Sequence, residues 1–168
     1  MIFHGKAHVF GDNISADYII SAKYLGKTAK ISDLIPYVFE DIQPDFFERV
    51  IAGDIIVAGD NFGAGSSREH AAQLLKVLNV GCVVARSFGR NFFRNAANHG
   101  LPLVEMDWNG IEQGDSLSID LNLGVINNET RSQLSNFKSL PPIMAVILRA
   151  GGLIPYFKMN KTLPGHPG

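Results

Sequence analysis

The chain has 168 residues, 46% of them apolar, and a formal net charge of -1, which is the size and make-up of one domain that buries a real core. Its Lys and Arg residues are scattered and form no basic stripe able to neutralise a row of phosphates, so a nucleic-acid partner is not expected. Cys82 is the only cysteine, which rules out an internal disulfide and fits a buried thiol in a reducing, cytoplasmic setting; the N-terminus lacks a leader pattern and no apolar run approaches the roughly 18 residues that span a bilayer, so no membrane role is expected.

The residues up to about Tyr24 mix short apolar runs, Ala7-His8-Val9-Phe10 and Tyr18-Ile19-Ile20, with the turn-prone Gly11-Asp12-Asn13, and read as short strands and loops. From Leu25 to Asp41 no period is sustained, and Gly26 and Pro36 suggest a mobile loop with a helical turn. Pro44 introduces a short helix to Val50, and Ile55-Ile56-Val57-Ala58 is a buried strand. Ala71, Leu74, Leu75 and Leu78 recur at the spacing of one helix face, and Cys82 to Ala85 is the next buried strand, so this stretch is a parallel strand-helix-strand crossover. A second helix over about Arg90 to Asn98 ends at His99-Gly100, before the strand Leu101 to Glu105. Ser116 to Asp120 alternates as a half-buried strand, and Pro141 to Ala150 is a late helix stopped by Gly151-Gly152. The reading is one α/β domain over residues 1–168, layered, with a mostly parallel sheet and flanking helices; residues 151–168 form a C-terminal extension, frayed from about Leu163.

One segment carries chemistry: Gly59-Asp60-Asn61-Phe62-Gly63-Ala64-Gly65-Ser66-Ser67-Arg68-Glu69-His70, between a buried strand and an amphipathic helix. Glycines let the backbone turn tightly, the first helical N–H groups have no intrahelical partner, and the helix dipole adds positive charge at the same end, which together favour an anion. Arg68 adds a planar fork suited to a carboxylate. A purely structural account competes, in which Ser66 caps the helix and Glu69 completes a capping box. A phosphate-binding P-loop would need Lys before Ser or Thr, a dinucleotide fingerprint a small residue at Arg68, and a hydrolase elbow a glycine there, so all three are demoted.

The run Asp60 to Ala71 resembles the signature of the aconitase superfamily's swivel domain, and further matches follow at Gly11-Asp12-Asn13-Ile14, Ala85-Arg86-Ser87-Phe88, Phe93-Arg94-Asn95-Ala96 and Gly100-Leu101-Pro102-Leu103. Length and spacing are similar to the family's separate small chains, found in dehydratases of 3-isopropylmalate and in homoaconitases. The resemblance implies a swivelling three-layer arrangement and a hydro-lyase that moves a hydroxyl between adjacent carbons of a small 2-hydroxy dicarboxylic acid, through an enoic acid. It implies a 4Fe-4S cluster held by a large partner chain. A cluster needs several thiolates, which Cys82 alone does not supply, and His4, His8, His99 and His166 show no metal-ligand spacing, so no metal site is expected on this chain.

Carried over residue by residue, the resemblance makes Ser66 the base that removes and returns the substrate proton, with Gly65, Ser67 and Arg68 holding carboxylate oxygens. Asp12 matches an aspartate of the family's early Asp-x-Ile motif and is assigned to orienting Arg68 or Ser66, against the plain alternative of an Asx turn. His70 reads as a structural histidine more readily than as a proton carrier. Arg86, Arg90 and Arg94, four apart, would align on a helix as a solvated or partner-facing edge. Substrate choice in the family is attributed to the loop that here holds Gly26, Lys27 and Thr28; in homoaconitase-type chains an arginine takes the place of Gly26, so its absence favours 3-isopropylmalate in leucine biosynthesis, while Lys27 keeps homoaconitase open. A 2,3-dimethylmalate dehydratase and, from another class, a noncatalytic carboxylate-binding or assembly module are the other readings.

Overall fold

The structure is a computed structural model that describes residues 1–26, 30–65 and 68–161. Seven strands form one sheet: β1 (Ile2–Val9), β2 (Ile55–Ala58), β3 (Cys82–Ala85), β4 (Leu103–Glu105), β5 (Ser116–Asp120), β6 (Val125–Asn128) and β7 (Gln133–Asn136), in the order β4-β3-β2-β1-β5-β6-β7. The parallel arrangement expected from the crossovers holds from β4 to β1, and an antiparallel run from β1 through β5 and β6 to β7 completes the sheet. β1 is therefore the seam, running parallel to β2 on one side and antiparallel to β5 on the other.

β2 and β3 are buried on both faces, as strands in a covered parallel sheet must be. Their alternate residues feed two cores. Ile56, Ala58, Val83 and Ala85 meet the helical side, with Ile19, Phe39, Phe46, Phe62, Leu74, Leu75 and Phe92. Ile55, Val57, Cys82 and Val84 meet the other side, with Val104, Leu117, Ile119, Ile126 and Leu148. The helices α4 (His70–Val77) and α5 (Arg90–His99) lie where the apolar spacing places them, and α5 ends at Gly100 with φ of 68°. α4 starts three residues later than a capping box on Ser66 would place it, with Glu69 as its N-cap, and the Glu69 carboxylate instead lies 3.6 Å from His99.

The N-terminal quarter differs from its sequence reading. β1 is one eight-residue strand, and of Tyr18-Ile19-Ile20 only Ile20 is extended: α1 (Ala16–Ile19) forms because the Ser15 hydroxyl accepts the Tyr18 N–H at 3.3 Å, a cap that outweighs the strand preference of the aromatic and β-branched residues. α2 (Ala22–Leu25) follows. Residues 30–41, part of the stretch expected to be a mobile loop with a helical turn, hold a 3₁₀ helix (Ile31–Tyr37) and bury Leu34, Val38 and Phe39, so the turn is present and packed against the core. The short helix after Pro44 is α3 (Phe46–Arg49).

Toward the C-terminus, α6 (Pro142–Arg149) is followed by α7 (Leu153–Asn160), which the sequence reading lacked. Gly151 and Gly152 adopt φ of 87° and 121°, and a β-carbon on Gly152 would lie 2.2 Å from the Asn98 carbonyl oxygen. The turn between α6 and α7 thus rests directly on the backbone at the end of α5. The frayed tail expected from Leu163 onward lies outside the described residues. Among them no single helix is long and apolar enough to cross a membrane; α6 and α7 pass that test only as a pair, bent by 85°.

Asp115 locks the antiparallel half. It is 4% exposed and accepts the Glu112 N–H at 2.9 Å, the Asn128 amide at 2.7 Å and the Arg131 Nε at 2.7 Å. Those donors, the Glu112 N–H first, hold its carboxyl down at about 2. A carboxyl whose folded pKa lies below its unfolded value adds stability above the unfolded value, near 3.9, and loses it as pH falls toward the folded one. Urea unfolding from pH 5 to pH 2 should therefore show the stability gap between the native chain and Asp115→Asn shrinking across that window; a gap independent of pH would remove the ionised carboxylate from this role.

Candidate functional site

The four parallel strands end on the same side, and their following loops, Gly11–Ser15, Gly59–Gly65, Arg86–Gly89 and Met106–Trp108, gather there, the usual place for a ligand in a parallel α/β sheet. The glycine loop is laced between its neighbours by main-chain bonds. On one side Asn13 N–H donates to the Asp60 carbonyl and Gly63 N–H to the Ile14 carbonyl, both at 2.7 Å, and Ala16 N–H to the Ala64 carbonyl at 2.9 Å. On the other, Phe62 N–H donates to the Ser87 carbonyl at 3.0 Å and Gly89 N–H to the Phe62 carbonyl at 2.8 Å. Asn13 and Asn61 hold the left-handed turns this needs, at φ of 57° and 60°, a conformation asparagine tolerates better than other residues with a β-carbon. Their side chains meet, the Asn61 amide donating to Asn13 Oδ1 at 3.2 Å.

Asp12 is built into this lacing. Its Oδ1 accepts the Asp60 N–H at 2.8 Å and lies 3.8 Å from Arg86 Nη1. The carboxylate also covers Gly59 so closely that a β-carbon there would be 1.7 Å from Oδ1. Arg86 sits in the loop after β3 and not on α5, so the helical alignment expected for Arg86, Arg90 and Arg94 holds only for the last two. From that loop Arg86 reaches Asp107 at 3.3 Å and stacks over Trp108, whose indole N–H donates to the Ala58 carbonyl. Asp12, Arg86 and Trp108 thus link the ends of all four parallel strands.

Arg68 pairs with Asp17, the first acidic residue of α1. Asp17 was not singled out in the sequence, although Asp17-Tyr18-Ile19 is a second Asp-x-Ile beside Asp12-Asn13-Ile14. The Asp12 carboxylate therefore serves Arg86, and the one ion-paired to Arg68 comes from the next turn of chain. Ser66 and Ser67 lie outside the described residues. Gly65, just before them, is exposed, holds φ of 97°, and has open space where a β-carbon would be. His70 opens α4 with its Nδ1 buried and unpaired among the described residues.

Of the expected specificity loop, Lys27 and Thr28 lie outside the described residues, while Gly26 closes α2, exposed, and a β-carbon there would meet nothing within 4 Å. The segment before it is anchored. Tyr24 stacks on Tyr37 at 3.9 Å and its hydroxyl donates to Glu40; that bond, with Lys23, holds the Glu40 carboxyl below its ordinary range. As for metal donors, Cys82 is fully buried inside β3 with its thiol pushed up by burial, and the described residues hold no group of three His, Cys, Asp or Glu placed to share an ion. The donor set does not fit an iron-sulfur cluster.

The Aconitase C-terminal domain family profile matches residues 19–107. The chain belongs to this family. Similar proteins cover nearly its whole length: 3-isopropylmalate dehydratase small subunit 1 of Thermotoga maritima is 44% identical over 97% of this chain and 99% of its own. The 3-isopropylmalate dehydratase small subunit of Caldicellulosiruptor saccharolyticus is 48% identical over 94% and 92%. A crystal structure of 3-isopropylmalate dehydratase from Methanocaldococcus jannaschii superposes with a TM-score of 0.91 at 38% identity, covering 96% of both chains.

The contact between Gly59 and Asp12 makes a structural prediction for this member of the family. Gly59→Ala should destabilise the chain by about 1–3 kcal/mol through overpacking. In a double-mutant cycle with Asp12→Gly most of that cost should disappear, a coupling of at least about 1 kcal/mol. Additive effects in urea unfolding would show that the carboxylate does not rest on Gly59.

Proposed function

We propose that the chain is the small subunit of a 3-isopropylmalate dehydratase, a hydro-lyase that isomerises 2-isopropylmalate and 3-isopropylmalate in leucine biosynthesis. The observation that carries this is the near end-to-end similarity, 44–48% identical, to relatives that bear that name. The reading includes a large partner chain, without which the small chain is inactive, and assigns the 4Fe-4S cluster to that partner because one buried thiol cannot hold it. Residues 1–168 are then one swivel domain with 151–168 as its extension, and the single thiol suits a reducing, cytoplasmic setting.

On this reading the small chain supplies the proton transfer and one carboxylate clamp. Ser66, as its alkoxide, takes the proton from the substrate carbon as hydroxide leaves the neighbouring carbon; hydroxide then adds to the carbon that lost the proton, and Ser66 returns that proton to the carbon that lost the hydroxyl, which restores the alkoxide. A serine is a poor base in water, and the open backbone at Gly65 together with the positive charge of Arg68 is what would hold its alkoxide. Arg68, steadied by Asp17, pairs with a substrate carboxylate alongside Ser67, and Asp12 sets the position of the glycine loop from below.

The test is turnover of a substrate panel by this chain with its large chain, against either chain alone. Ser66→Ala in the complex should lower kcat by about 10² to 10⁴ with little change in KM, the usual range for a lost general base; a loss under about tenfold would remove Ser66 from that role. Arg68→Lys should chiefly raise KM, because an ammonium cannot reproduce the bidentate fork.

Substrate choice is tested at Gly26. An apolar isopropyl group needs room and no counter-charge, whereas the longer tricarboxylate needs a cation. Because the position is open, Gly26→Arg should fold normally and shift the ratio of kcat/KM values from isopropylmalate toward homoaconitate. A native preference for the tricarboxylate would reassign the enzyme and make Lys27 the specificity residue.

A further inference from the structure

We infer that the face built by α5, α6 and α7 is the seat of the large chain, and that the segment it receives is apolar and edged by carboxylates. This rests on the heteromeric reading above. Charge is the first observation. The chain as a whole is close to neutral, yet no Asp or Glu occurs from residue 90 to 104 or anywhere after Glu129, while Arg90, Arg94, Arg149, Lys158 and Lys161 fall on or at the ends of these helices. The carboxylates near α5 are Glu105 and, at its far end, Glu69 beside His99.

Shape is the second. Phe93 is 42% exposed and stands in three adjoining hollows of about 650, 370 and 180 Å³ that run along α5. Arg90 and Arg94 line the largest, Lys138 the next, and the smallest is closed by Leu140, Met144 and Leu148 with almost no polar lining. The apolar surface continues over α6 and α7, where Val146, Ile154 and Phe157 are exposed. A half-exposed aromatic beside open hollows edged by two arginines has the make-up of an interface centre.

Location is the third. The largest hollow begins at Phe88, which bridges to Phe62 of the glycine loop, and at Glu105, two residues before the Asp107 that pairs with Arg86. A chain seated there borders the candidate site, as a partner that completes an active site must. A second copy of this chain would bring cations against cations, which disfavours self-pairing, and side-chain-sized hollows suit a protein better than a lipid surface.

The experiment titrates the large chain with the full-length small chain, reading the apparent Kd from turnover and from direct binding. Arg90→Glu with Arg94→Glu should weaken binding at least about tenfold and flatten its salt dependence, with kcat at saturation retained. Both sites are exposed on α5, and Glu is well tolerated at a helix start, so the fold should persist. The Lys-for-Arg pair at the same positions should keep most of the affinity. Unchanged affinity in the Glu pair, with normal turnover, overturns this docking face and leaves the proposed function standing; a native chain that neither binds nor activates any large chain overturns both. Self-association, or pelleting with phosphatidylserine vesicles, that the Glu pair abolishes while large-chain affinity stays intact would also overturn it.

Discussion

The glycine loop after β2 has main-chain partners on both edges, and the rest of the site depends on that. A loop held only at its ends would wander on the nanosecond to microsecond scale; one laced to the loops after β1 and β3 keeps the approach to Ser66 and Arg68 in register with the sheet. The lacing in turn demands residues that tolerate left-handed backbone or close contact. Asn13 and Asn61 turn the chain, Gly59 makes room for Asp12, and a β-carbon on Gly63 would lie 2.3 Å from the Phe92 ring. Beneath the loop, Phe62 meets Phe92 edge-on at 5.3 Å, so the same segment that faces the site is rooted in the core.

The two halves of the sheet divide the work. The parallel half aligns four strand ends and so creates the site, while the antiparallel half covers β1, which would otherwise be an edge with unpaired N–H and C=O groups. Burial and ionisation meet at a few points in this frame. His8 and Asp54 are both buried and lie 2.8 Å apart, and Asp54 also accepts the Lys6 and Ile51 N–H groups. Burial pushes that carboxyl up, but the donors outweigh it and hold it below its ordinary range. The result fastens β1 to the turn before β2, at the end of the sheet opposite the site.

Much of this was legible in the residues. Ile55 to Ala58, Cys82 to Ala85 and Ser116 to Asp120 are strands with the bounds their apolar runs suggest, and the glycine stops at Gly100 and Gly151-Gly152 end helices as read. What was not legible depended on single hydrogen bonds or on tertiary burial. The Ser15 cap turned Tyr18-Ile19 into helix, and the burial of Val38 and Phe39 ordered a stretch with no period of its own. At the site, two Asp-x-Ile runs five residues apart are equivalent as strings, and only the folded chain separates them, Asp12 toward Arg86 and Asp17 toward Arg68. Arg86 was hidden for a related reason: its spacing from Arg90 and Arg94 mimics a helix that begins four residues later.

The position of β1 has a consequence for biosynthesis. Ile2 pairs with Asp120 and Lys6 with Ser116, so β1 leaves the ribosome well before this partner, which lies about 110 residues or more downstream. Until that stretch emerges, β1 can pair only with β2, and one flank of the nascent sheet stays open to other chains. Non-local pairing of this kind slows folding, and synthesis at about 5–20 residues per second stretches the exposed interval to several seconds. The last third of the chain, which contributes nothing to the glycine loop, therefore acts as the closing seam that ends the nascent protein's vulnerability to aggregation.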